Sequence, residues 1–221
     1  MSIAQRLNEI KNNLPSSVQV VAVSKFHKVS AIEEAYEVGH RIFGESRVQE
    51  LIPKYNELPK DIQWHFIGHL QSNKVKFIVP FVDMIESVDS LKLLEEINRE
   101  AKKFDRYIKI LLQIHIAQEE HKYGFHFEEV EDLIKLGKLK SLSHIKLVGL
   151  MGMASFTDKE DQIRNEFRKL ASFYRHLKAS YFSEDDSFRE LSIGMSDDYP
   201  IAIEEGSTLV RIGSKIFGSR E

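Results

Sequence analysis

The chain has 221 residues, 42% of them hydrophobic, and 31 Lys plus Arg against 34 Asp plus Glu give a net charge of −3. That length can bury one sizeable core and suits a one-domain α/β barrel, while near-balanced, interspersed charge gives no basis for a nucleic-acid or membrane-surface partner. The absence of cysteine excludes disulfides, thiolate metal sites and thiol nucleophiles, and suits a reducing compartment.

Ile3, Leu7, Ile10 and Leu14 fall at helical spacing with charges between them. That pattern predicts an amphipathic helix, not the unbroken apolar stretch of an export signal. Later apolar runs are far shorter than the roughly 20 residues that cross a bilayer, so a soluble, cytoplasmic protein is expected. Short β-branched or aromatic runs then predict strands over residues 18–24, 41–44, 63–68, 84–88, 107–115, 146–151, 190–194 and 210–212. Between them, charged segments with apolar residues every three or four positions predict helices over 29–38, 48–56, 72–79, 90–104, 127–135 and 159–180. Alternating strands and helices imply parallel strands with right-handed crossovers. Eight such units predict an α/β fold, a single (β/α)8 TIM-type barrel with an extra N-terminal helix, forming one domain over residues 1–221. An open doubly wound sheet is the rival architecture. Residues 180–188, SYFSEDDSF, read as a surface connection, and only a helix stub can follow the last strand.

In such a barrel the working groups sit at the carboxyl ends of the strands, and phosphate is commonly held after strands seven and eight. Lys25 closes the first strand, Gly194-Met195-Ser196 follows the seventh, and Arg211 and Ile212 lead into Gly213-Ser214 after the eighth. Closure makes strand one the neighbour of strand eight, so Lys25 and both small-residue loops should lie within on the order of 10 Å. Glycine admits close approach of backbone N–H groups to phosphate oxygens, and the Ser196 and Ser214 hydroxyls add donors. A partly desolvated lysine favours the neutral amine that attacks a carbonyl. A ligand with a phosphate at one end and a carbonyl at the other fits, and pyridoxal 5′-phosphate has both. Taken singly, a strand-end lysine is more often a solvated edge charge, Gly-Ser pairs are more often plain turns, and Arg211 reads as a barrel-end ion-pair partner.

The stretches VVAVSKFH, FGESRVQE, WHFIGHLQSNK, VGLMGMASF, LSIGMSDDYPIAIEEGS and LVRIGSKIFG, in that order along the chain, resemble the motifs of the YggS/PROSC family of pyridoxal phosphate homeostasis proteins. The resemblance implies a barrel like the alanine racemase N-terminal domain, without the second β-domain that supplies a catalytic tyrosine. It implies that Lys25 forms the internal aldimine, that Ser196, Gly213 and Ser214 bind the phosphate, and that Arg211 faces the pyridine nitrogen. A guanidinium there keeps its proton, leaving the ring nitrogen unprotonated and the ring a poor electron sink. Three positions depart from the family pattern: Ser46 stands where asparagine is usual beside the cofactor's face, Ile193 where methionine is usual, and Ser214 where threonine is common. Implied partners are pyridoxal phosphate and the apo-enzymes that receive it, with the chain a monomer or weak dimer.

Two histidine sets invite a metal. His65 and His69 are four apart but on a strand entering a loop, and His115, Glu119 and His121 lack a further ligand, so core or loop roles explain both better. The GMS stretch does not complete a G-x-S-x-G elbow, and Met151, Met153 and Met195 read as pocket or core filler. The sequence therefore favours a cofactor-holding protein without sustained turnover. A small racemase or decarboxylase using the same lysine, or an aldolase-like barrel without pyridoxal, are the competing readings.

Overall fold

The computed structural model describes residues 1–119 and 123–218. Its strands are β1 (Gln19–Val23), β2 (Ile42–Glu45), β3 (Gln63–Phe66), β4 (Met84–Val88), β5 (Ile108–Ile114), β6 (Ile145–Gly152), β7 (Glu190–Met195) and β8 (Leu209–Ile212). They pair in parallel in sequence order and β8 pairs with β1, aligning Ala22 with Ile212, so the barrel is closed. The open-sheet alternative is thereby set aside. The helices are α1 (Ile3–Asn12), α2 (Val29–Glu37), α3 (Val48–Glu57), α4 (Val75–Ile78), α5 (Leu91–Lys103), α6 (Phe127–Lys135), α7 (Glu160–Tyr181), α8 (Tyr199–Glu204) and α9 (Ser214–Phe217).

Strand side chains alternate between two cores, as the pleat requires. Phe43, Trp64, Phe66 and Ile85 face outward into the continuous layer beneath the helices. Val21, Met84, Leu111, Val148, Met151 and Leu209 form a separate cluster inside the barrel. The extra helix α1 is closed by a reciprocal Ser2/Gln5 cap and buries Ile3, Leu7 and Ile10. Arg6 Nε donates to the Ile216 carbonyl at 2.6 Å, which ties α1 to α9. Among the described residues no helix is long and apolar enough to cross a membrane.

Several expected boundaries shift for local reasons. β1 ends at Val23 because the Ser24 carbonyl accepts from Lys54 Nζ at 2.9 Å, which places Lys25 in a turn two residues beyond the strand. The helix expected over 72–79 is a 3-10 turn, Ser72–Lys74, followed by the single turn of α4, with Pro80 just beyond. α8 escaped the periodicity because six residues cannot display a stripe; Pro200 in its first turn was the available signal. The 180–188 segment begins inside α7 and ends at Phe188, which is fully buried and stacked on Phe182 at 4.2 Å.

Candidate cofactor site

A cavity of about 670 Å³ opens at the carboxyl end of the barrel, lined by Lys25, Ser46, Ser196, Arg211, Gly213 and Ser214. Volumes of roughly 300–1,000 Å³ are typical of small-ligand sites. The six positions singled out in the sequence thus share one space, and Lys25 is the only lysine among the described residues lining it. Val23, Ile67, Met153 and Met195 supply apolar wall.

The turn bearing Lys25 stands on a buried pedestal. Ser24 Oγ donates to Glu45 Oε1 at 2.6 Å, and Lys54 Nζ donates to the same oxygen at 2.6 Å. Glu50 Oε2 accepts from the Phe26 backbone N–H at 2.8 Å, and Phe26 has a φ of 68°, rare for a residue with a side chain. Burial raises the Glu45 carboxyl above its ordinary range, against the pull of Lys54 and Ser24. Across the mouth, Gly68 packs on the Ser46 backbone so closely that a Cβ would lie 2.3 Å from the Ser46 carbonyl oxygen.

The β7 and β8 loops are joined to each other. The Gly213 N–H donates to Ser196 Oγ at 3.2 Å, and Asp198 Oδ1 accepts from the Met195 N–H at 2.5 Å. Burial raises the Asp198 carboxyl, with the Met195 N–H and Arg211 opposing. Gly194 holds a φ of 93°, and a Cβ on it would meet Ala202 Cβ at 2.6 Å, which lets α8 fold directly over the loop.

Arg211 is 4% exposed. Its Nη1 donates to the Ser192 carbonyl at 2.8 Å and to Ser192 Oγ at 2.5 Å, and its Nη2 donates to the Gly152 carbonyl at 2.9 Å. Burial lowers its pKa and the carboxylates of Glu86 and Asp198 oppose that shift; a guanidinium remains charged at neutral pH. Behind it, Glu86 accepts from Ser192 Oγ at 2.5 Å and from His65 Nδ1 at 2.6 Å. This polar column within the barrel was not foreseen from sequence. Nor were the wall residues Gln113 and Tyr123, joined by a 2.8 Å bond from Gln113 Nε2 to the Tyr123 carbonyl.

The histidines diverge. His65 turns inward to Glu86, whereas His69 stacks on Tyr123 at 3.9 Å and bonds Asp89 at 2.9 Å. His115 Nε2 donates to the Glu119 carbonyl at 3.0 Å, and His121 lies outside the described residues. Met151 fills the barrel interior, while Met153 and Met195 line the cavity.

This closed parallel barrel carries a lysine over its mouth and small-residue loops at its last two strands, and the family model of the alanine racemase N-terminal domain matches residues 1–221. The fold of an alanine racemase from Clostridium difficile superposes with a TM-score of 0.74 at 19% identity, covering 97% of this chain and 55% of that one. The chain belongs to the family of pyridoxal phosphate homeostasis proteins. It is 37% identical over 213 residues to the Haemophilus influenzae pyridoxal phosphate homeostasis protein, covering 95% of this chain and 88% of that protein. It is also 38% identical to PipY of Synechococcus elongatus, covering 98% of this chain and all of that one, with TM-scores of 0.92 to the structure without PLP and 0.88 to that with PLP bound.

Proposed function

We propose that this chain binds pyridoxal 5′-phosphate and serves its homeostasis, holding the cofactor on Lys25 and delivering it to apo-enzymes. The observation that carries the reading is the convergence of Lys25, Arg211, Ser196, Gly213 and Ser214 on one cavity of cofactor size. The donor set suits the group: an amine for its carbonyl, hydroxyls and loop N–H groups for its phosphate, a cation for its ring, and Met and Val side chains for its faces. Bound pyridoxal phosphate supplies an aldehyde that a lysine amine captures covalently and reversibly.

The residues of the chain do the rest. Ser196 and Ser214 hydroxyls orient the phosphate, and the Gly213 turn, tied to Ser196, fixes the distance between the two loops. Arg211 keeps its own proton and presents a cation to the ring nitrogen, which disfavours protonation there. Ser46, on one side of the mouth, would offer a hydroxyl to the cofactor's face. The Glu45–Lys54 pair and Glu50 hold the Lys25 turn in place. Residues 1–221 act as one domain, in the cytoplasm, as a monomer or weak dimer, and without sustained turnover.

The test uses purified protein incubated with pyridoxal phosphate. A visible absorbance band that Lys25→Ala abolishes, and recovery of activity when the loaded protein is mixed with an apo-enzyme, are the expected results. Steady conversion of an L-amino acid to its D form or to CO₂ would replace the carrier reading with a catalytic one.

A further inference from the structure

Arg211 is held from behind by a chain of buried groups inside the barrel. Its Nη1 donates to Ser192 Oγ at 2.5 Å, and Ser192 Oγ lies 2.5 Å from Glu86 Oε2. A serine hydroxyl has one proton, and an ionised carboxylate can only accept. The Ser192 proton therefore goes to Glu86, which leaves the lone pairs of Oγ facing the guanidinium. The second Glu86 oxygen accepts from His65 Nδ1 at 2.6 Å. Direction along the whole chain is thus set by one carboxylate, which is fully buried and lies 3.9 Å from Arg211 Nη1.

The charges around this column are few. Glu86 on β4 faces His65 on β3, Ser192 on β7 and Arg211 on β8. Asp198 adds its field at Arg211, and Asp83, itself paired with Lys109, lies 3.8 Å from His65 Nε2. Burial opposes the Glu86 charge, and His65, Arg211 and Ser192 together outweigh it, holding the carboxyl below its ordinary range. Desolvating a guanidinium is costly unless a nearby charge compensates it. Glu86 is the carboxylate placed to do so from inside the barrel.

We propose that Glu86 is a positioning residue for Arg211: through Ser192 it sets the orientation of the cation presented to the cofactor's ring, and by its own charge it offsets the positive field there, an inference that rests on the pyridoxal phosphate reading for its consequence. Two variants separate bond from charge. Glu86→Gln keeps an acceptor for Ser192 and removes the charge, while Ser192→Ala keeps the charge and removes the link.

The first measurement needs no cofactor. In the apo protein, side-chain NMR should show the Arg211 guanidinium protons exchanging with water about tenfold faster in Ser192→Ala, the loss expected for a hydrogen bond to a charged group. Melting curves establish that each variant is folded; should Glu86→Gln fail to fold, Glu86→Asp, which draws the carboxylate back from Ser192 and Arg211, takes its place and should move the second measurement in the same direction. The second measurement titrates the visible band of cofactor-loaded protein. Losing a negative charge beside Arg211 makes the cavity more positive and disfavours protonated forms, so the midpoint in Glu86→Gln should fall by about 0.5–1 pH unit. Unchanged guanidinium exchange in Ser192→Ala, or an unchanged midpoint in folded Glu86→Gln, overturns the proposal. A wild-type protein with no band that depends on Lys25 would instead refute the cofactor reading and leave the positioning role to the apo measurement.

Discussion

Replacing Lys54 by Met strands a buried carboxylate under the Lys25 turn. Lys54 Nζ donates to Glu45 Oε1 at 2.6 Å and to the Ser24 carbonyl at 2.9 Å, and Glu45 Oε2 is buried with no hydrogen-bond partner. Removing one partner of a buried pair costs about 3–5 kcal/mol. At about 2–4 °C per kcal/mol for a protein of this size, Lys54→Met should lower the Tm by roughly 6–20 °C. Burial already raises the Glu45 carboxyl, and Lys54 is the main group opposing it, so the variant's carboxyl rises further. A carboxyl with a raised folded pKa binds more protons folded than unfolded, so its contribution to stability is lost as pH rises through that folded value. The deficit should therefore be larger near pH ~8 than near pH ~5. Adding Glu45→Leu removes the stranded charge and should recover most of the loss, since apolar replacement of a buried pair is often neutral. Urea and thermal melts of the two variants at both pH values provide the assay. A deficit below about 1 kcal/mol at the higher pH, or a double variant no more stable than the single one, would refute the pedestal argument.

His40 is buried, donates from Nε2 to the Ile42 carbonyl at 2.8 Å, and has its pKa pushed down to about 4 by burial. Unfolded chains protonate this residue first as pH falls from 6.5 toward 4, so it should withdraw up to about 3 kcal/mol of stability across that window; His40→Gln should flatten this part of the acid limb in melts taken at successive pH values. Gly68→Ala forces a Cβ to 2.3 Å from the Ser46 carbonyl, and should cost about 1–3 kcal/mol of stability with weaker pyridoxal phosphate binding, read by melting and by spectrophotometric titration. Arg211→Glu should shift the visible spectrum of loaded protein toward that of a protonated ring, and an unchanged spectrum would count against its assigned partner.

The barrel was legible because parallel strands buried on both faces read as short β-branched runs, such as VQVVAV before Lys25 and HIKLVGLM through β6. The same property concealed the interior column. A strand buried on both faces has no polar side to betray its direction, so nothing in MIESV distinguishes Glu86 facing inward from Glu86 facing a helix. Ser192 in LSIGMS is hidden for the same reason. Lys25, Ser196, Arg211, Gly213 and Ser214 could be picked out as cavity residues because barrels place ligand groups at strand carboxyl ends, while the separate roles proposed for them rest on motif resemblance. The Glu45–Lys54 pair joins a strand to the following helix, and its nine-residue spacing matches no helical or strand period. Tyr123 reaches the cavity through a loop contact with Gln113, a pairing that periodicity cannot supply.

Cofactor capture rests on a bond between one lysine amine and one aldehyde, and borohydride reduction of the cofactor-loaded protein followed by peptide mass mapping locates that bond. A single pyridoxyl adduct is expected, on the peptide containing Lys25. An adduct centred on another lysine, or no adduct in protein that has taken up the cofactor, would contradict it.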